Sequence, residues 1–157
     1  MVRAFFDWLQ MTPMSQTIQA SVWMYAIDQA FHLVFLAIFA GALLIVDLRL
    51  LGRGFTQQSV REVARDARPW LILGFIGLAV TGSVQVISGA QKEYFSGIFW
   101  IKMYILVAAI IYTAVVRRTV ILADENRVGP FWSKVVGLLS IALWVGVAIP
   151  ARLIGLF

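Results

Sequence analysis

Apolar residues along this chain gather into four runs, about 22–48, 70–90, 98–116 and 131–149. Each run is close to or above the roughly 20 residues that a helix needs to cross the hydrocarbon core of a bilayer. The pattern predicts an all-α integral membrane protein, a bundle of four transmembrane helices in which residues 1–157 form a single domain. The first run is long enough to tilt or to protrude.

The segments outside the runs carry their own signals. In "MVRAFFDWLQMTPMSQTIQA" the residues Asp7, Gln10 and Thr12 interrupt the apolar core that a cleavable signal needs, so the N-terminus is expected to be retained. Phe5, Phe6, Trp8 and Leu9 beside Arg3 and Asp7 suit a short segment in the headgroup region, and Thr12-Pro13 suits the N-cap and first position of a new helix. Between runs one and two, Ser59-Val-Arg-Glu62 has the form of a capping box and predicts a short cytoplasmic surface helix that ends before Pro69. Pro69-Trp70 and Pro130-Phe131-Trp132 open runs two and four alike, which reads either as an internal duplication or as two helices that start at proline.

Composition agrees with the pattern. Hydrophobic residues make up 61% of the chain and charged ones 13%, against roughly 25% charged in a soluble domain. The formal charge is +5, but the basic residues sit between apolar runs and form no basic face with interleaved aromatics, which argues against nucleic acid as a partner. They read as topology signals. Arg53, Arg61, Arg65 and Arg68 follow run one, and Arg117, Arg118, Arg127 and Lys134 lie between runs three and four. Lys92 and Lys102 alone flank the remaining loop. The positive-inside rule then puts the arginine-rich loops in the cytoplasm and both termini in the periplasm, with Arg3 and Arg152 near those termini. The absence of cysteine excludes disulfides, thiolate metal sites, iron–sulfur ligation and haem attachment through cysteine.

Polar residues inside the runs are the candidates for chemistry. At 100° per residue, Tyr25, Asp28, Gln29, His32, Phe39 and Leu43 share one face of the first helix, opposite Ala30, Val34, Ala37 and Gly41. Exposing the polar face to lipid would cost several kcal/mol per group, so it is expected to face protein. Asp28 and His32, at i and i+4, can touch; the carboxylate would then fix the imidazole tautomer and leave the other ring nitrogen to bind iron or accept a proton. The alternative is that His32 only bridges two helices by hydrogen bonds. Gln85, on a small-residue face with Gly77, Thr81 and Ser88, comes to a similar depth in the outer half. Lys102 reaches that level too, and either joins the cluster or snorkels to the headgroups. Near the inner end, Asp47 and Arg49 lie close to Arg117 and Arg118, where an exposed ion pair would fix helix register at about 1 kcal/mol or less.

Several stretches, "TPMSQTIQASVWMY", "LLIVDLRLLG", "ARPWLILGFIGLAVTG" and "FWIKMYILVAAI" together with the early histidine, resemble an uncharacterised family of small four-helix bacterial inner-membrane proteins. More distantly the chain is similar to four-helix membrane cytochromes b and to the membrane domain of copper-resistance proteins. That resemblance implies a b-type haem on His32, with Asp28 or Gln29 behind it and Gln85 nearby. Such cytochromes hold haem between two histidines, whereas this chain has one, so the second ligand would be Met, Lys or His32 of another copy. Three readings are open: electron transfer through such a cofactor; a non-enzymatic subunit that assembles with itself or with a larger membrane complex; and proton or small-solute transport through Asp28, His32, Gln85 and Lys102. None makes the chain a stand-alone enzyme, and no Gly-x-Ser-x-Gly elbow or zinc-ligand set is present.

Overall fold

The computed structural model describes residues 1–123 and 128–154, with side chains through Pro150. It is helical from its first turn, with no strand among the described residues. α1 (Val2–Gln10) and α2 (Pro13–Ala20) lead into α3 (Val22–Leu50). α4 (Val60–Ser88) and the short α5 (Ala90–Phe95) come next, and then α6 (Gly97–Tyr112). From α6 the chain continues through a π-helical turn, Thr113–Arg117, into α7 (Arg118–Leu122), and α8 (Pro130–Ile154) closes the fold. α3, α4, Gly97–Leu122 and Pro130–Pro150 are each long and apolar enough to cross a membrane.

The caps show why the helices begin where they do. Thr12 Oγ1 accepts a hydrogen bond from Ser15 N, with Pro13 in the first helical position, as the Thr-Pro pair predicts. Ser59 Oγ accepts from Glu62 N at 3.2 Å while Glu62 Oε2 accepts from Ser59 N at 3.0 Å, so the capping box is formed.

The helix that this box opens is longer than expected. No separate surface helix ends before Pro69; α4 runs unbroken through it. Proline lacks the N–H that would bond the carbonyl four residues back, a loss of about 3 kcal/mol or more in a helix interior. Packing on both sides of Pro69 holds the helix together. Val63 and Ala67 are buried against Ala42 and Val46 of α3, and Gly74 is buried against Phe39. The proline itself stays exposed. Pro130 does begin a helix, so the two proline-aromatic pairs are not structural equivalents.

α3 packs along α4, α6 packs along α8, and α3 also meets α8. In lipid the hydrophobic effect does not drive such pairing, and close van der Waals approach takes its place. Gly74 and Gly77 supply it. A Cβ built on Gly74 would lie 2.7 Å from Phe39 Cβ and 2.8 Å from the Phe39 backbone nitrogen, and one on Gly77 would fall on the Phe35 ring. Ala37 and Gly41, on the opposite side of α3, are exposed, with no atom within 4 Å of a Cβ on Gly41. α1 docks through Phe6, whose ring meets Tyr94, Phe99 and Trp100 at centroid distances of 5.4, 6.3 and 6.3 Å. Ser15 of α2 is fully buried and donates to the Ile87 carbonyl of α4 at 2.9 Å.

Candidate functional site

The face of α3 divides as its periodicity predicts. Phe39 and Leu43 are buried and Asp28, Gln29 and His32 half-buried, while Ala30, Val34, Ala37 and Gly41 are exposed. Tyr25, at the start of that face, stays 45% exposed. On α4 the small-residue stripe turns inward: Gly74, Gly77, Thr81 and Ser88 are all buried.

His32 meets that stripe. Its Nδ1 lies 2.7 Å from Thr81 Oγ1, and the Thr81 hydroxyl donates its one hydrogen to the Gly77 carbonyl at 2.7 Å. Nδ1 must therefore be the donor, so the neutral ring carries its proton there and Nε2 keeps its lone pair. Sequence spacing offered Asp28 for this orienting role and, as the alternative, a hydrogen-bonded bridge from His32 to a second helix, which is the contact that His32 makes. No hydrogen bond joins Asp28 to His32 among the described residues, and Thr81 holds the ring instead.

Beside this contact a cleft of about 640 Å³ opens between α2, α3, α4, α5 and α6. Gln29, Gln85 and Lys102 line it together with Tyr25 and Glu93, whereas Asp28 and His32 are not among its lining residues. Lys102 is half-buried and lines the cleft. Sequence reasoning missed Glu93, whose only signal was its place in the loop beside Lys92. Burial holds the Glu93 carboxyl above the usual carboxylate range, with Lys102 and Lys92 pulling the other way.

These polar groups do not satisfy one another. Among the described residues, Tyr25 Oη, Gln29, Lys102 and Glu93 make no side-chain hydrogen bond or ion pair. Asp28 Oδ2 and Gln85 Nε2 are buried without a partner. Buried polar atoms are nearly always paired in native proteins, so these two atoms are exceptions to the usual pattern.

A second polar layer lies 15 residues along α3 from His32, roughly 22 Å at 1.5 Å per residue. Arg117 Nε donates to Asp47 Oδ1 at 2.9 Å, and Ser140 Oγ donates to Asp47 Oδ2 at 2.8 Å. Arg117 is 4% exposed and Asp47 fully buried, so the expected ion pair exists but is not an exposed one. Arg49 Nε donates to the Gln58 carbonyl. The π-helical turn that ends at Arg117 adds a residue to the helix and rotates the segment beyond it, which periodicity alone does not reveal. Between the two layers, Phe39 stacks edge-on to Trp144 at 4.6 Å, and Trp144 Nε1 donates to Thr113 Oγ1 at 3.2 Å. Arg127 and the side chain of Arg152 lie outside the described residues.

Residues 5–157 match the model of a family of unknown function, DUF6644. The chain belongs to that family. The match to DUF6644 agrees with the resemblance to an uncharacterised family of small membrane proteins and lends nothing to the likeness to cytochromes b or copper-resistance proteins. No curated protein and no solved structure matches this DUF6644 member. Among the described residues no group of three or more His, Asp or Glu side chains is placed to hold a metal ion.

Proposed function

We propose that this DUF6644 member is a membrane-embedded binding protein whose cleft holds a small polar ligand. The observation that supports this reading is that Gln29, Lys102 and Glu93, half-buried around the cleft, make no side-chain hydrogen bond or ion pair among the described residues, and that Gln85 Nε2 in the same lining is buried without a partner. In a low-dielectric setting such groups are costly unless something completes them. Lys102 supplies charge, and Gln29 and Gln85 supply directional hydrogen bonds. The arginines of the opposite end support, through the positive-inside rule, a cleft in the periplasmic half of a bacterial inner membrane with both termini on that side. Native mass spectrometry of the chain purified in mild detergent tests the reading. A small molecule is expected to accompany the wild type and to be lost from the Gln85→Leu/Lys102→Met variant. A bare wild type, or an adduct unchanged in that variant, would contradict the proposal.

One observation favours a second reading. Thr81 fixes the proton of His32 on Nδ1, the arrangement that frees Nε2 to ligate a b-type haem for electron transfer. With a single histidine in the chain, a haem held by His32 would take its second protein ligand from Lys102, a methionine or His32 of a second copy. A Soret band that shifts or vanishes in His32→Ala is its expected signature, and a purified chain with no Soret absorption would remove it.

A further inference from the structure

The charges around the cleft narrow what its ligand is. Lys102 of α6 and Glu93 of α5 both line it half-buried, while Lys92 of α5 lines it from an exposed position where water solvates its charge, and among the described residues no ion pair joins Glu93 to either lysine. A purely anionic ligand would compensate Lys102 and leave Glu93 a charge beside new negative charge. A purely cationic one would do the reverse, and a neutral one would compensate neither. A group that carries both signs meets both side chains at once.

We infer that the cleft takes a zwitterionic head, its ammonium on the Glu93 carboxylate and its phosphate or carboxylate on the Lys102 ammonium, an inference that rests on the cleft being a ligand site. Gln85 Nε2, buried without an acceptor, adds an N–H for the anionic part. The Tyr25 hydroxyl and the Gln29 carbonyl add acceptors for the ammonium. Burial raises the Glu93 pKa, and a ligand ammonium in contact with it would offset that cost. Ethanolamine phospholipids carry such a head, and so do free amino acids and phosphoethanolamine. The shared chemistry is the same and only the source differs.

The full chain, delipidated in detergent, is offered phosphatidylethanolamine or phosphatidylglycerol at equal concentration, or soluble phosphoethanolamine, and retention is read by native mass spectrometry. The zwitterionic lipid is expected to be retained about tenfold better than the anionic one, the scale of one charge-assisted hydrogen bond. Glu93→Gln should erase that preference and Lys102→Gln should weaken both lipids. Glu93→Asp and Lys102→Arg, which keep the charges, should preserve the preference and show that the fold is intact. Displacement of the lipid by phosphoethanolamine assigns a free small molecule as a sufficient ligand, and retention of the lipid alone assigns a lipid head. Equal retention of the two lipids, or a preference that survives Glu93→Gln, overturns the inference while leaving the cleft as a site for another ligand. Retention of none of the probes also overturns it. The broader reading then falls with it only if the wild type also carries no copurified molecule.

Discussion

Replacing Arg117 by alanine is expected to destabilise the bundle by about 3–5 kcal/mol, the cost of leaving one partner of a buried ion pair behind. Asp47 is fully buried, and without the guanidinium the Ser140 hydroxyl at 2.8 Å is the one side-chain partner its carboxylate keeps among the described residues. The loss is not confined to one pair of helices. Arg117 also donates to the Leu43 carbonyl at 3.4 Å, so one side chain ties the π-helical turn to α3, and Ser140 brings in α8. If the uncompensated charge is the cause, removing both charges should repair most of the damage. The Asp47→Leu/Arg117→Met double variant is expected to recover most of the lost stability, since well-packed apolar replacements of buried pairs are often neutral or better. Equilibrium unfolding in mixed micelles separates the cases. A double variant as unstable as Arg117→Ala would show that the ion pair is not the source.

The second large effect is expected at Gly74. A leucine there must begin with a Cβ 2.7 Å from Phe39 Cβ and 2.8 Å from the Phe39 nitrogen, and the backbone it meets cannot swing aside as a flexible side-chain tip would. α3 and α4 have to separate, and overpacking of this kind costs about 1–3 kcal/mol or more. The separation reaches Trp144, because Phe39 lies between Gly74 and that indole. Gly74→Leu is therefore expected both to lower stability and to shift tryptophan emission. Gly41→Leu, with open space around its Cβ, is expected to stay within about 0.5 kcal/mol of the wild type. Equal losses at the two glycines would contradict the tight α3–α4 contact.

Much of the architecture was legible because the physics behind it is local and periodic. Four apolar runs gave four membrane-length helices, and segregation of Asp28, Gln29 and His32 from Ala30, Val34, Ala37 and Gly41 gave the inward face of α3. Thr12 and Ser59 announced their caps because a side-chain oxygen followed by a free N–H is a contact within three residues. The features that were not legible depend on packing between helices. Pro69 reads as a stop, yet α3 holds α4 together across it. Thr81 rather than Asp28 orients His32, a choice made by the depth at which two helices touch. Arg117 reaches Asp47 through a π-helical turn that leaves no mark on residue type. Glu93 joins the cleft only because α5 folds back beside α6. Membership of DUF6644 covers residues 5–157 and leaves the chemistry of the site to its geometry.

The central claim is that a polar cleft opens at the end of the bundle opposite the arginines, and the cysteine-free chain allows a direct test. Single-cysteine variants are treated in intact cells with a membrane-impermeant maleimide, and again after permeabilisation. Gln29→Cys is expected to react in intact cells. Arg53→Cys is expected to react only after permeabilisation, and Ile76→Cys, at an exposed apolar position in the middle of α4, in neither case. Labelling of Arg53→Cys in intact cells with none at Gln29→Cys would contradict the account.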